Sequence, residues 1–284
     1  MIRLDAATVL LQWASGGLGF LWVTTRHREV GLGYGWLLRG VFGALAAGAF
    51  VCGVLLDTVP VREAAALGVV VAALFAFGVS VARKGAGVSG QRSEHDRRSQ
   101  RVAAMTGIDR TVAVTDAPPG REFDPRLDLV APIVGAVGLV AAGLASGGND
   151  ALAVARTLAG AAFLGAVTDA MLLGHWYLVQ PGLPRRLLNE LVSWVGWVWP
   201  VEVVLFLVPT GMVSVLNGSI DDGWNGTLGW FWVACAVTTI GLAFVTRAAL
   251  KEREYSAVMA ATGLLYLAIL TAFGTDLVAR AVLA

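Results

Sequence analysis

Two carboxylates, Asp169 and Glu202, lie within stretches apolar enough to cross a lipid bilayer. A charge at membrane depth costs at least ~2.5–3.5 kcal/mol, so an acid kept there has a partner or a task. Handling of a proton or a cation is the chemistry that uses such a group. Asp169 stands in the run Thr168-Asp169-Ala-Met-Leu-Leu-Gly-His175-Trp176-Tyr177, ~12 Å from the nearer end of its helix at the ordinary rise. His175, six residues on, is about 120° around the helix. The two therefore share no stripe, although both can line one cavity if the helix is surrounded by protein.

Glu202 follows Pro200. Proline removes a backbone donor and crowds the carbonyl four residues earlier, which here belongs to Gly196, so the helix is expected to open at this point. A bent helix with an acid beside the bend is one way to build a polar cavity at depth. Arg156 lies ~6 Å and Glu202 ~9 Å from the ends of two helices joined by a short hairpin. That placement predicts an Arg156–Glu202 ion pair, either structural or a gate. Asp169, His175, Glu202 and Arg156 together form the candidate proton or substrate site.

A second candidate lies at one membrane boundary. His175, Trp176 and Tyr177 precede the compact turn Gln180-Pro-Gly-Leu-Pro184, and Arg185, Arg186, Asn189 and Glu190 follow it. His175, Trp176, Tyr177, Arg185 and Glu190 offer the mixture of ring, cation and acid that could hold a quinone or an anionic headgroup. A haem is the weaker option, because bis-histidine ligation needs two imidazoles that meet. The chain has His27, His95 and His175 alone.

Other chemistries find no footing. The chain carries no P-loop, HExxH, zinc-type Cys/His spacing or serine–histidine–acid set, so nothing assigns it to an enzyme class or to a metal. Cys52 and Cys235 fall in different apolar segments. Both are expected in the same half of the membrane as small buried residues, and a disulfide between them has no support. Gly85-Ala-Gly87-Val-Ser-Gly90 fits GxGxxG, but no soluble strand precedes it, so it reads as a helix stop and joint. Asp221-Asp222 is too isolated for a metal site, and the sequons at Asn217 and Asn225 matter only in a glycosylating compartment.

The elements that must position these residues follow from composition. The chain has 284 residues, 57% of them hydrophobic and 14% charged, with mean hydropathy +0.71. Soluble domains carry roughly 25% charged residues. A net charge of +1 suggests no nucleic-acid partner. Apolar runs bounded by charges, Gly or Pro predict an all-α, polytopic integral membrane bundle of eight transmembrane helices. They cover about 4–25, 36–56, 64–82, 129–146, 152–177, 187–208, 228–246 and 256–278. Residues 1–284 form one transmembrane domain. The start, with Asp5 inside it and Arg26 and Arg28 after it, reads as a first span and not as a signal peptide.

Charge bias orients the bundle. With eight spans, 17 of the 21 Lys and Arg residues fall on the side of the loops after spans one, three, five and seven. The positive-inside rule makes that side cytoplasmic and puts both termini outside. The 83–128 loop is then cytoplasmic and mildly basic. Its Arg92–Arg101 stretch is either a solvated connector or a polar helix on anionic headgroups. Trp22, Trp36, Trp176, Tyr177, Trp224, Trp230 and Tyr255 fall near span ends, as interfacial rings do. Gly143/Gly147, Gly43/Ala47 and Ala44/Gly48 are small pairs suited to close helix packing. Arg39-x3-Gly43-Ala44-x3-Gly48 is echoed by Arg156-x3-Gly160-Ala161-x3-Gly165. A three-helix offset would make this an inverted repeat of the kind many transporters contain.

The leading expectation is a multi-pass cell-membrane protein, of the bacterial cytoplasmic membrane, that acts as a proton-coupled transporter or proton relay. The alternatives are a quinone-associated subunit of electron transport and a scaffold or assembly subunit using its Trp194, Trp197 and Trp199 face. The bilayer is the expected partner, with other membrane proteins or further copies of the chain as candidates. The cofactor, if any, is not legible.

Overall fold

A computed structural model describes residues 4–93, 120–208, 211–252 and 254–284. His95, most of the Arg92–Arg101 stretch and the centre of the 83–128 loop lie outside the described residues. Eight helices are long and apolar enough to cross a membrane. They are α1 (Ala6–Thr25), α2 (Leu32–Leu55), α3 (Pro60–Ala82), α4 (Val130–Ala145), α5 (Asp150–Val179), α6 (Arg185–Leu207), α7 (Thr227–Ala249) and α8 (Tyr255–Val282). A 3-10 turn, Pro125–Leu129, leads into α4, and a short helix, Gly211–Leu216, lies between α6 and α7. No strand occurs among the described residues. The predicted all-α, eight-span bundle is thus observed, with α8 four residues longer than expected at its C-terminal end.

Local chemistry sets the ends. The Asp5 carboxylate caps α1, accepting from the backbone N–H groups of Ala7 and Thr8, which would otherwise have no partner. Asn149 does the same for α5 through the Leu152 N–H at 3.0 Å. Pro60 occupies the first turn of α3, where its missing N–H costs nothing. Asp222 gathers the backbone N–H groups of Trp224, Gly226, Leu228 and Gly229, closing the loop before α7. Desolvation is the largest single influence on this carboxyl and raises its pKa, but the four N–H donors together outweigh it and hold it below the usual carboxylate range.

The Gly85–Gly90 stretch contains a 3-10 turn, Lys84–Ala86, followed by Gly87 at φ +63°. It is a helix stop and joint, with no strand before it.

The helices pack as two four-membered rings. In one, α1 contacts α2, α2 contacts α3, α3 contacts α4, and α4 returns to α1. In the other, α5, α6, α7 and α8 close in the same way. The seam between the rings is α1 and α4 against α5. At its centre, Gly16 of α1 meets Gly165 and Ala161 of α5 backbone to backbone. A Cβ on Gly16 would overlap the Ala161 carbonyl oxygen, and one on Gly165 would lie 2.7 Å from the Gly16 Cα. Two-thirds of the apolar windows of α1 and α5 are buried, against 28% for α3 and α6. Large apolar side chains such as Leu74, Phe75, Ile133, Phe244 and Leu270 point outward, as expected of helices bathed in hydrocarbon.

The start of α1, the end of α8, the α2–α3 and α4–α5 hairpins and residues 211–226 share one face, here called the terminal face. The described ends of the 83–128 loop, residues 83–93 and 120–128, and the α1–α2, α5–α6 and α7–α8 turns share the opposite, loop face.

Candidate functional site

Charged groups are buried at three levels of the bundle, and two of the three involve α5. On the loop face, Arg39 of α2 makes a bidentate ion pair with Asp128, Nε to Oδ1 at 2.8 Å and Nη2 to Oδ2 at 2.9 Å. Thr25 Oγ1 donates to the same carboxylate at 3.1 Å. The Arg39 guanidinium also stacks 4.4 Å from the Phe123 ring centroid. This pair pins the C-terminal end of the long loop onto α1 and α2. Arg39 is therefore not available to Asp169.

Asp169 is the middle level. It has no solvent exposure, and neither oxygen has a hydrogen-bond partner. Tyr34 of α2 is buried as completely, and its hydroxyl likewise makes no hydrogen bond of good geometry. The adjacent Thr168 is engaged instead by Trp13, whose Nε1–H donates to its Oγ1 at 3.0 Å. An acid in such a setting is charged only at high cost, and it has nothing structural to hold.

The third level lies toward the terminal face. Arg156 of α5 does not form the predicted ion pair with Glu202. Its Nε donates to the Leu205 carbonyl at 2.8 Å and its Nη2 to the Val208 carbonyl at 2.9 Å. The last carbonyls of a helix have no partner of their own and favour a cation, and they out-compete the carboxylate for this guanidinium. Glu202 remains within electrostatic reach of Arg156, but its nearest acidic neighbour is Asp276 of α8. No N–H or O–H donor reaches either Glu202 oxygen, yet the Asp276 carboxyl lies within hydrogen-bonding range. Neither acid can donate to the other unless one carries a proton.

Asp276 also pairs with Arg280 one turn on, Nε to Oδ2 at 2.8 Å, with both side chains fully buried. Gly160 of α5 makes room for this assembly. A Cβ there would lie 2.5 Å from Gln12 Nε2, 2.7 Å from Asp276 Oδ1 and 3.3 Å from Arg280 Nη2. Gln12 of α1 is held by its Nε2–H donating to the Thr157 carbonyl at 2.7 Å. Asp276, Arg280 and Gln12 escaped the sequence reading, which ended the last span at residue 278 and counted Arg280 as a loop charge. The Asp–Arg spacing of four within an apolar run is the signal that marks them.

The second sequence candidate does not assemble. His175 lies on the outside of the bundle, edge-on to Tyr266 at 6.4 Å, away from buried Asp169. The Trp176 indole N–H donates to Gln180 at 3.2 Å, and Gln180 in turn ties down Gly31 and Glu29. The Tyr177 hydroxyl donates to the Pro184 carbonyl at 2.8 Å. Arg185 binds the carbonyls of Glu252 and Glu254. Glu190 is taken by Arg26 and by His27, the latter at 2.8 Å. Trp176, Tyr177, Arg185 and Glu190 each fasten a different piece of the loop face, while His175 stands apart from them against Tyr266. His27 and His175 are engaged by different partners on different elements, which gives haem ligation no support.

Cys52 and Cys235 are both free thiols. Among the described residues no cluster of three or more His, Cys, Asp or Glu side chains is placed to hold a metal ion. Comparison with protein-family models, curated proteins and solved structures finds no match.

Proposed function

We propose that this chain is a proton-coupled membrane transport protein in which α5 is the working helix. The observation that carries the reading is Asp169, a fully buried carboxyl without donor or counter-ion. Such a group is stable at depth as the neutral acid or beside an arriving cation, and exchange between those conditions is what a carrier needs. The second polar level on the same helix, at Arg156 and Gly160, lies nine to thirteen residues away, ~14–20 Å along the axis. A path through the bundle thus has a protonatable stop in each half. The scattering of His175, Trp176, Tyr177, Arg185 and Glu190 among structural bonds favours this reading over a quinone or headgroup site.

The test is proton entry. Liposomes loaded with a pH-sensitive dye and reconstituted with the protein should acidify after an external acid step faster than protein-free liposomes. Asp169→Asn should return the rate to the protein-free value while leaving the elution profile of the purified protein unchanged. Undiminished entry in that variant removes Asp169 from the mechanism.

A further inference from the structure

A small pocket opens on the terminal face among Asp5, Thr8, Asp57, Arg62, Ala145, Ser146, Thr157 and Arg280. Its cavity of about 10 Å³ is room for one water-sized body. At its inner end Arg280 is fully buried, and its Nη1 and Nη2 have no hydrogen-bond partner. Nε, bonded to Asp276, fixes the guanidinium plane, so the two free nitrogens present a preset fork. The other cation at the pocket is already occupied. Arg62 is shared among Asp5, Glu63, the Thr8 hydroxyl and the Asp57 carbonyl.

We propose that the Arg280 fork is the binding site for a single-atom monovalent anion, chloride, admitted through this pocket. A guanidinium with two free N–H groups in a desolvated site is the side chain best suited to hold such an ion.

The charges around the site say what else must come with it. Arg156 on α5 and Arg280 on α8 are the cations; Glu202 on α6 and Asp276 on α8 are the acids. At the mouth, Asp5, Arg62 and Glu63 form their own network on α1 and α3, with Asp57 beside them. If Glu202 and Asp276 share one proton across their contact, the inner four groups carry a single net positive charge. One anion then neutralises them. The anion and the proton therefore enter as a pair, and the transported species carries no net charge into the membrane. This deepens the transport reading by naming the solute class. It rests on Arg280, however, and not on Asp169.

Equilibrium dialysis of the full chain in nanodiscs, in chloride-free buffer, against radiolabelled chloride tests it without requiring flux. Wild type should bind one anion per chain saturably. Binding should tighten as pH falls, by no more than tenfold per unit for one linked proton. Arg280→Gln should weaken binding about tenfold or more. Because that variant strands Asp276 and can misfold, Ala145→Trp provides a second arm. It plugs the exposed mouth and leaves every charge in place, and it should block binding equally. Asp169→Asn should bind the anion as wild type does, so loss of proton entry and loss of anion binding are separate outcomes. Absence of saturable binding in wild type, or wild-type binding in the folded Arg280→Gln and Ala145→Trp proteins, overturns the assignment. Binding independent of pH overturns the shared proton.

Discussion

Asp128 and Asp169 are buried acids in opposite surroundings, and the contrast separates structure from function at the scale of single residues. Asp128 receives two nitrogens of Arg39 and the Thr25 hydroxyl. Removing it strands a buried guanidinium, so Asp128→Ala should cost about 3–5 kcal/mol of stability. Asp169 satisfies nobody. Asp169→Leu deletes a desolvated carboxyl at similar volume and should leave thermal unfolding in detergent unchanged or raise it. A fall as large as that of Asp128→Ala would mean that Asp169 has a structural partner after all. The sequence exposed Asp169 and Glu202 because an acid inside an apolar run is conspicuous. It correctly set Arg156 near Glu202 but misassigned the partner. Backbone carbonyls are invisible in a string of residue types, and here the unpaired carbonyls of Leu205 and Val208 win the guanidinium.

At the scale of helices, close approach is carried by very few glycines. Gly16 and Gly165 let α1 and α5 touch backbone to backbone, and that crossing sets the distance between Gln12 and the Asp276–Arg280 pair. Gly16→Ala and Gly165→Ala should each cost at least 1–3 kcal/mol, because backbone cannot yield as a side chain can. Gly43→Ala, whose new methyl would meet the Ala73 Cβ at an ordinary 3.6 Å, should be neutral in the same unfolding assay. Equal losses in all three variants would dissolve the distinction.

The small-residue pairs were legible as a class and not as individuals. Gly143 does press on Val154 of α5, whereas Gly147 is a turn residue at φ +76° with open space around it. The Arg39 and Arg156 echo divides in the same way. Gly160 of the second copy houses Gln12, Asp276 and Arg280, while its counterpart Gly43 merely packs on α3. At Gly196 an added Cβ would meet nothing within 4 Å, and α6 runs on past Pro200 to Leu207.

For the whole molecule, hydropathy made the eight spans readable, because twenty apolar residues in a row have few other uses. The two-ring grouping was not readable, since Gly/Ala-rich helices present similar faces to any neighbour. Orientation is where the sequence speaks again. Among the described residues the terminal face holds Arg62, Arg156 and Arg280, and all three are buried, so almost none of their charge is offered to a headgroup layer. In the eight-span topology read from the sequence, 17 of the 21 Lys and Arg residues belong to the loop side. Several of these are partnered: Arg26 by Glu190, Arg186 by Glu29, and Arg28 and Arg92 by Glu122. The positive-inside rule counts Lys and Arg and gives little weight to acids, so those pairings do not cancel the bias. The loop face should therefore be cytoplasmic, which turns the Asp5–Arg62–Arg280 pocket toward the outside. A cysteine introduced at Ser146, beside that pocket, should react with a membrane-impermeant maleimide in intact cells. One introduced at Gly85 should react only after the cells are opened. The reverse pattern would place the Arg280 site on the cytoplasmic side and turn an uptake pathway into one of release.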